Sequence, residues 1–270
     1  MPIETSALAT ALGGRFSPEL LFGIGGGTGF GWFTYGDHST LLTRITTRET
    51  GKESFLLDIC ERLGLEARLS SASSGPALRK RIDAALAGGY AVVVCIPGPA
   101  ESYGAEHVDL VSDELLERAA ALPGAARNRF LAVRPAAVGA ADVRDAIAAG
   151  IRAHTRQMRE GFGPTSTRGS FGLAGFARWR RSLADLDEPA RAALREQIQA
   201  RGGGPAMRLA MAGFLTEAVL PRAAELTRRA AEAWSAVAEE PSPERLAAVE
   251  DAEREALAVL EKATSAGRAP

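Results

Sequence analysis

The feature that most constrains the fold of this chain is a glycine-rich segment near its N-terminus. Six of the nine residues from 23 to 31 are glycine. Glycine loses the most conformational freedom in a helix or strand, and it adopts positive φ angles without steric cost. The segment is therefore predicted to be a tight loop rather than a regular helix. Four aromatic side chains in or beside the loop are expected to pack into the core, namely Phe22, Phe30, Trp32 and Phe33.

This loop lacks the signatures of nucleotide-binding loops. The dinucleotide fingerprint lies between a strand and a helix, whereas a short helix pattern precedes this loop and aromatic residues follow it. A Walker loop ends in Gly-Lys-Ser/Thr, which is missing here. No cofactor is therefore expected. The loop can still line a pocket with bare backbone amides, so the candidate substrate-binding residues include Gly25, Gly26, Gly27, Thr28 and Phe30.

The composition is that of an ordinary globular protein. The chain has 270 residues, of which 46% are hydrophobic and 24% charged, and its formal net charge is -1. A chain this close to neutrality has no electrostatic basis for binding nucleic acid. No apolar run approaches the roughly 20 residues of a membrane helix, and the N-terminus does not resemble a secretory signal peptide. We therefore expect a cytoplasmic protein with no nucleic-acid or membrane partner.

Local patterns divide the chain into two predicted domains. Residues 1–135 mix helices with short strands, which predicts an α+β domain with a small, mainly antiparallel sheet. Its central strand is expected at residues 90–96 and an edge strand at residues 129–133. Residues 136–270 carry helical patterns alone and are predicted to be an all-helical domain. Its long amphipathic helices suit packing as a homodimer through Leu209, Phe214, Leu215, Val219, Leu226 and Trp234. Its helices are expected at residues 140–160, 171–185, 188–200, 205–236 and 242–264.

Three separate motifs resemble those of one protein family. The sequences ETSAL at residues 4–8, LFGIGGGTGF at residues 21–30 and GSFGLAGFARW at residues 169–179 occur in the order found in the butirosin biosynthesis protein H family. The resemblance covers nearly the whole chain. It implies a papain-like fold related to the bacteriocin-processing cysteine peptidases. It also implies that an acyl group is transferred from a carrier protein by a cysteine–histidine pair.

The chain departs from that family where the chemistry would take place. Ile3 stands where the family has its nucleophilic cysteine, and Pro2 stands where it has the adjacent histidine. An isoleucine has no ionisable group, so thioester transfer by the family route is excluded at this position. Most of the hairpin that carries the family's histidine base is interpreted as deleted, with residues 101–107 as its remnant.

Other residues are candidates for a changed chemistry. His107 lies in the hairpin remnant together with Tyr103, and it is the leading candidate acid or base. His38 follows the aromatic segment and is expected to face the same pocket as the glycine loop. Ser6 and Thr5 lie near the start of the first helix, where a hydroxyl would have to replace the thiol. Around them, Ile3, Trp32, Tyr35 and Arg178 complete the predicted substrate-binding set.

Each candidate also has a purely structural interpretation. The hydroxyls of Thr5 and Ser6 can serve as helix caps or pack in the core, and His107 can be a solvated loop residue. His154 lies in a polar helical stretch and is expected at the surface. Cys95 is predicted to be inert in a buried strand, and Cys60 to be structural. The spacing of histidine and acidic residues does not predict a metal site.

Three functions of different classes remain open. The first is a specialised-metabolite biosynthetic enzyme on an acyltransferase scaffold, repurposed for cyclisation, isomerisation or condensation of a small-molecule or carrier-protein-bound intermediate. The second is a non-catalytic binding or partner subunit. The third is acyl transfer that uses Ser6 or Thr5 as the nucleophile. Removal of Met1 would add the amine of Pro2 as a further reactive group.

Overall fold

The chain folds into two compact units of mixed α and β structure. The computed structural model describes residues 3–35, 38–42, 55–97, 103–122, 127–161, 169–200 and 204–265. Unit 1 contains Phe22–Thr47 and Ile147–Pro270, and unit 2 contains Pro2–Leu21 and Arg48–Ala146. The glycine loop therefore belongs to the same unit as the C-terminal helices. The two units are groups of residues in contact, whereas the boundary predicted near residue 135 separates two folding domains. That boundary stays a prediction.

The helices and strands follow one another in a mixed order along the chain. The helices are α1 (Ile3–Ala11), α2 (Pro18–Ile24), α3 (Phe55–Arg62), α4 (Gly75–Ala87), α5 (Asp113–Ala120), α6 (Ala140–Glu160), α7 (Gly172–Asp185), α8 (Glu188–Ala200), α9 (Pro205–Glu217), α10 (Pro221–Glu239) and α11 (Pro243–Ser265). The strands are β1 (Gly31–Tyr35), β2 (His38–Leu42), β3 (Ala67–Ser71), β4 (Ala91–Pro97), β5 (Tyr103–Val108), β6 (Arg129–Val133) and β7 (Gly169–Phe171). None of the helices in the described ranges combines the length and apolarity needed to cross a membrane.

Unit 2 is built on a four-stranded antiparallel sheet with the strand order β3-β6-β4-β5. The prediction of a buried central strand is confirmed, because Val92, Val93 and Val94 of β4 are buried. The prediction that β6 is an edge strand was wrong. Four of its five residues are buried, and β3 and β4 pair with its two sides. The more polar strand β3 takes an edge instead.

The segment that we interpreted as the remnant of the family's hairpin forms strand β5, which pairs with β4. Strands β4 and β5 pair from Val92 opposite Val108 to Pro97 opposite Tyr103, so His107 lies on a strand and not in a solvated loop. The loop interpretation of His107 was wrong because β5 carries few apolar residues and lacks the alternation typical of strands. Its backbone pairing with β4 and its packing against α1 supply what the local sequence does not show.

Unit 1 combines a small sheet with the C-terminal helices. Its sheet has the order β2-β1-β7 and is antiparallel throughout. Strand β7 comes from the second half of the chain, so the prediction that this half is entirely helical was wrong in this detail. Three residues are too few to give a periodic signal, and β7 exists because residues 31–33 pair with it. The helical character of the C-terminal region is otherwise confirmed.

The single helix predicted for residues 205–236 is in fact two helices. Helix α9 ends at Glu217, and Val219 adopts a left-handed φ of 57°. Pro221 then begins α10, because proline fits the first turn of a helix but not its interior. Side chains expected to form a dimer surface mostly pack inside unit 1 instead. Of that set, Phe214, Leu215, Leu226 and Trp234 are buried, whereas Leu209 and Val219 are exposed. The homodimer stays a prediction.

Candidate functional site

The glycine loop is a closed, buried element, and its backbone explains its composition. Gly26 and Gly27 adopt φ angles of 104° and 62° in the turn that ends α2, where their amides donate to the carbonyls of Gly23 and Phe22. A Cβ atom on Gly27 would lie 2.5 Å from the sulfur of Met211, and one on Gly23 would overlap the ring of Phe214. The loop prediction is therefore confirmed, although α2 extends through Gly23 and Ile24.

Three of the four aromatic residues predicted to pack into the core do so, namely Phe22, Phe30 and Trp32, and the side chain of Phe33 is not among those described. The ring of Phe30 stacks on Phe176 with a centroid distance of 3.9 Å, and Trp32 stacks on Trp179 at 5.4 Å. The indole nitrogen of Trp32 donates to the hydroxyl of Ser182 over 3.1 Å. Phe30 and Trp32 have no exposed surface. The other residues of the loop that were predicted to bind substrate are also buried, namely Gly25, Gly26, Gly27 and Thr28.

A buried ion pair fastens the loop to the helices. Arg208 is fully buried on α9, and its Nε donates to Oε1 of Glu253 on α11 over 2.6 Å. The indole nitrogen of Trp234 donates to the same oxygen over 2.8 Å, and the guanidinium carbon of Arg208 lies 4.9 Å from the Trp234 ring centroid. Nη2 of Arg208 also donates to the carbonyl of Gly29 over 3.3 Å. The only sequence signal for this pair is a charged residue at position 208, between the apolar residues of α9.

His154 forms the second attachment of the loop. Its Nδ1 donates to the carbonyl of Thr28 over 2.9 Å, and the Thr28 hydroxyl oxygen lies 3.5 Å from the same nitrogen. The prediction of a surface position was wrong, because His154 shares one face of α6 with the buried Ile151 and Met158. Burial lowers the pKa of His154. The Thr28 bond and the charge of Glu253 oppose this change in pKa, and the charge of Arg208 adds to it.

Unit 2 holds an open surface cleft of about 410 Å³, which we name the His107 cleft. His107 is half-buried in it, with Nδ1 at 3.1 Å from the Val92 carbonyl oxygen and Nε2 at 3.1 Å from Oδ1 of Asp109. Both neighbours are hydrogen-bond acceptors, so the ring donates to both only when it carries two protons. The cleft is lined by Thr10, Ala11, Leu12, Gly13, Arg15, Leu86, Gly89, Tyr90, Ala91, His107, Asp109 and Pro135.

The polar groups of the cleft are held by contacts with their own unit. The hydroxyl of Thr10 donates to the carbonyl of Ser6 over 3.1 Å, and the Tyr90 hydroxyl donates to Glu66. Nη1 of Arg15 donates to the carbonyl of Ala136 over 2.8 Å. These contacts hold the side chains of Thr10, Tyr90 and Arg15 against other residues of unit 2.

The predicted nucleophiles and the residues that line the cleft with His107 lie at different positions along α1. His107 faces the last turn of α1 and the residues that follow it, from Thr10 onward. Ser6 lies four residues earlier on the same helix, which is about 6 Å along its axis. Thr5 has no exposed surface, and Ser6 is half-buried. The hydroxyls are therefore placed near the start of α1, and His107 near its end.

Several predicted site residues fall outside the described parts of the structure. The side chains of Ile3, Tyr35, His38 and Tyr103 are not among those described, although their backbones lie in α1, β1, β2 and β5. Pro2 lies outside the described residues altogether. Arg178 is half-buried on α7, where its carbonyl accepts the hydroxyl of Ser182 over 3.1 Å.

The cysteines differ in their exposure. Cys60 is buried, and this burial, together with the nearby charge of Glu61, raises the pKa of its thiol to about 12. Such a thiol is protonated at neutral pH, as expected for a structural cysteine. Cys95 on β4 is half-buried, which is less than the sequence predicts. Within the described ranges, no three His, Cys, Asp or Glu side chains lie close enough together to hold a metal ion.

Comparison with other proteins adds no assignment. No protein-family model matches this sequence, and no curated protein matches it. The family resemblance drawn from the three motifs therefore stays a prediction.

Proposed function

We propose that this protein takes part in the biosynthesis of a specialised metabolite, as an acyltransferase-like scaffold that acts without a cysteine nucleophile. Its ligand would be a small-molecule or carrier-protein-bound intermediate, bound in the His107 cleft. The motif resemblance supports the papain-like relationship and the biosynthetic role. The cleft around His107 in unit 2 supports the choice of binding site.

The observation that carries this proposal is an imidazole held between two acceptors in a cleft of ligand size. Ligand sites usually measure about 300–1,000 Å³ and combine apolar walls with a few convergent polar groups. The cleft, at about 410 Å³, falls within this range. Its apolar wall comes from Leu12, Leu86 and Pro135, and its polar groups include Arg15 and His107.

The contacts of His107 leave its Nε2 atom within reach of a ligand in the cleft. Its Nδ1 faces the carbonyl oxygen of Val92, so Nε2 is the ring nitrogen through which a proton can pass to or from a substrate. The side chain of Asp109 is 90% exposed, so a substrate oxygen can replace its carboxylate as the acceptor at Nε2. Protonating a carbonyl oxygen promotes isomerisation, cyclisation or condensation, none of which needs a thiol.

A non-catalytic binding or partner subunit is the second candidate function. The observation favouring it is the closed glycine loop, whose predicted binding residues are all buried. In this case the cleft would hold a ligand or the arm of a carrier protein without transforming it. Acyl transfer through Ser6 is a third route, whereas the complete burial of Thr5 opposes its use as a nucleophile.

The test uses the full chain and a panel of acyl-pantetheine thioesters, which imitate carrier-bound intermediates. Saturation-transfer NMR measures binding, the acyl resonances over time measure turnover, and intact-protein mass spectrometry detects a covalent adduct. The informative variant is His107→Gln. The matched control is Lys80→Gln on α4, where an exposed cation lines a different groove.

Each outcome separates the three functions. Turnover that His107→Gln abolishes and Lys80→Gln preserves would support the repurposed enzyme. Binding with the same dependence on His107 but without turnover would favour the non-catalytic subunit. A mass increase on the N-terminal peptide would favour acyl transfer through Ser6. Binding that both variants retain in full, or no binding of any thioester, would contradict the cleft as the site.

A further inference from the structure

Arg15 gives the His107 cleft a positive charge that no described carboxylate balances. Its Nη1 donates to the carbonyl of Ala136 over 2.8 Å, and its Nε donates to the carbonyl of Leu12 over 3.3 Å. Both acceptors are uncharged backbone groups, and Nη2 makes no hydrogen bond among the contacts of the described residues. The guanidinium therefore keeps its charge and the two hydrogens of Nη2 for a further partner. An anion suits it best, since hydrogen bonds between a guanidinium and a carboxylate are among the strongest in proteins.

The position of Arg15 is set before any ligand arrives. Gly13 and Gly14 adopt left-handed φ angles of 70° and 69° in the turn that ends α1, and Arg15 follows this turn. Its guanidinium is then held both at Leu12, three residues earlier, and at Ala136, 121 residues later in the chain. A cation that is already held in place loses less conformational entropy when it binds a ligand.

The side of the cleft formed by Tyr90 adds positive charge. The guanidinium carbons of Arg68 and Arg134 lie 4.7 Å and 4.4 Å from the centroid of the Tyr90 ring. Among the described contacts one carboxylate serves this group, because the Tyr90 hydroxyl and Nε of Arg134 both donate to Glu66. Two guanidinium groups and one carboxylate thus border the cleft on this side, which leaves an excess of one positive charge.

Asp109 supplies a carboxylate inside the cleft but does not pair with Arg15. Its Oδ1 lies 3.1 Å from Nε2 of His107, so its described ion-pair partner is the histidine and not the arginine. With His107 uncharged, the described residues that line the cleft or contact Tyr90 carry three guanidinium groups and two carboxylates. The cleft therefore favours a ligand with a single negative charge over a neutral or cationic one.

We infer that the His107 cleft takes an organic monocarboxylate, with Arg15 binding the carboxylate and the apolar body lying along Leu12, Leu86 and Pro135. These three residues form the apolar wall, so the charged group and the apolar body each meet a matching surface. His107 lines the same cleft and is left to meet a second polar group of the same molecule. This inference rests on the proposed function for its site, and it names the chemical class of the ligand.

The experiment is a ligand-observed NMR titration of the full chain with octanoate and with octanamide. The two probes have the same length and the same apolar chain, and they differ in the charge of one end. We expect octanoate to bind about three- to tenfold more tightly than octanamide, because water partly screens an arginine–carboxylate pair near the surface. Added salt should weaken the binding of octanoate and leave that of octanamide unchanged.

Substitutions of Arg15 assign this difference to one side chain. Arg15→Gln removes the charge, so octanoate should bind to it as weakly as octanamide does. Arg15→Met carries the same prediction, so either folded variant is sufficient, and Arg15→Lys keeps the charge and should restore most of the preference. The matched control is Arg81→Gln on α4, because Arg81 is also exposed and donates to a backbone carbonyl, that of Ser71, but does not line the cleft. Asp109→Asn removes the carboxylate beside His107 and should tighten the binding of octanoate.

Equal binding of octanoate and octanamide would overturn the inference, as would a preference for octanoate that survives in the uncharged Arg15 variants. A failure of octanoate to bind would overturn it as well, and tighter binding of octyl phosphate would overturn the choice of a carboxylate. The thioester panel tests the proposed function separately. Octanoate binding that depends on Arg15, without binding of any thioester, would contradict the proposed function alone. Turnover of a thioester that depends on His107, without octanoate binding, would contradict this inference alone.

Discussion

Replacing Glu253 with glutamine tests the buried ion pair that fastens the glycine loop. The substitution keeps the shape of the side chain and an oxygen that can accept from Trp234, but it removes the charge opposite Arg208. Arg208 has no exposed surface and Glu253 is 6% exposed, so water cannot replace the lost partner. Breaking a buried pair by removing one member costs about 3–5 kcal/mol, and we expect this loss in the free energy of unfolding.

The matched control lies two residues further along the same helix. Glu255 pairs with Arg222 and Arg229 over 3.5 Å and 3.2 Å, but its side chain is 45% exposed. Solvated pairs contribute about 0–1 kcal/mol, so Glu255→Gln is expected to lose less than about 1 kcal/mol. The two substitutions have the same chemistry and differ in the burial of the pair they break.

Urea unfolding followed by tryptophan fluorescence measures both variants. All three tryptophans of the chain lie in unit 1, and Trp234 contacts Glu253 directly. With a slope of about 2 kcal/mol per M, Glu253→Gln should lower the midpoint by roughly 2 M. The double variant Arg208→Met with Glu253→Gln removes both charges, keeps an acceptor for Trp234 and should recover most of this loss. Equal losses in Glu253→Gln and Glu255→Gln would refute the reasoning, as would a double variant less stable than Glu253→Gln.

Three further predictions concern single positions. Val219→Gly should raise the free energy of unfolding by about 1 kcal/mol, measured by urea denaturation, because Val219 is exposed with a φ of 57°. Gly150→Ala should lower it by about 1–3 kcal/mol, since the new Cβ would overlap the carbonyl oxygen of Gly23. Gly75→Ala, with its nearest atom at 3.9 Å, should not lower it. Cys60, whose thiol pKa is raised to about 12, should resist alkylation by iodoacetamide at pH 8 in the native protein and react after unfolding. Peptide mass spectrometry measures this alkylation, and an alkylated Cys60 in the native protein would contradict the prediction.

The sequence alone determined the elements whose signals are local. Helix α6 spans the residues predicted for it, and α11 differs from its prediction by one residue at each end. The central strand β4 and the packing role of Phe30 and Trp32 were also predictable, because long apolar runs and glycine clusters constrain their own backbone. These features follow from periodicity, proline positions and glycine geometry, which act over a few residues.

Only the tertiary structure decided which polar residues are buried and with whom. His154 and Arg208 occur in ordinary helical stretches, yet they meet Thr28 and Glu253, which lie 126 and 45 residues away along the chain. Strand β7 and the pairing of β5 likewise depend on a partner strand and not on their own residues. A buried polar side chain such as these is stable only where a distant segment supplies its hydrogen bonds and opposite charge. Pairing between distant residues produces no repeating pattern in the sequence, so sequence analysis does not detect it.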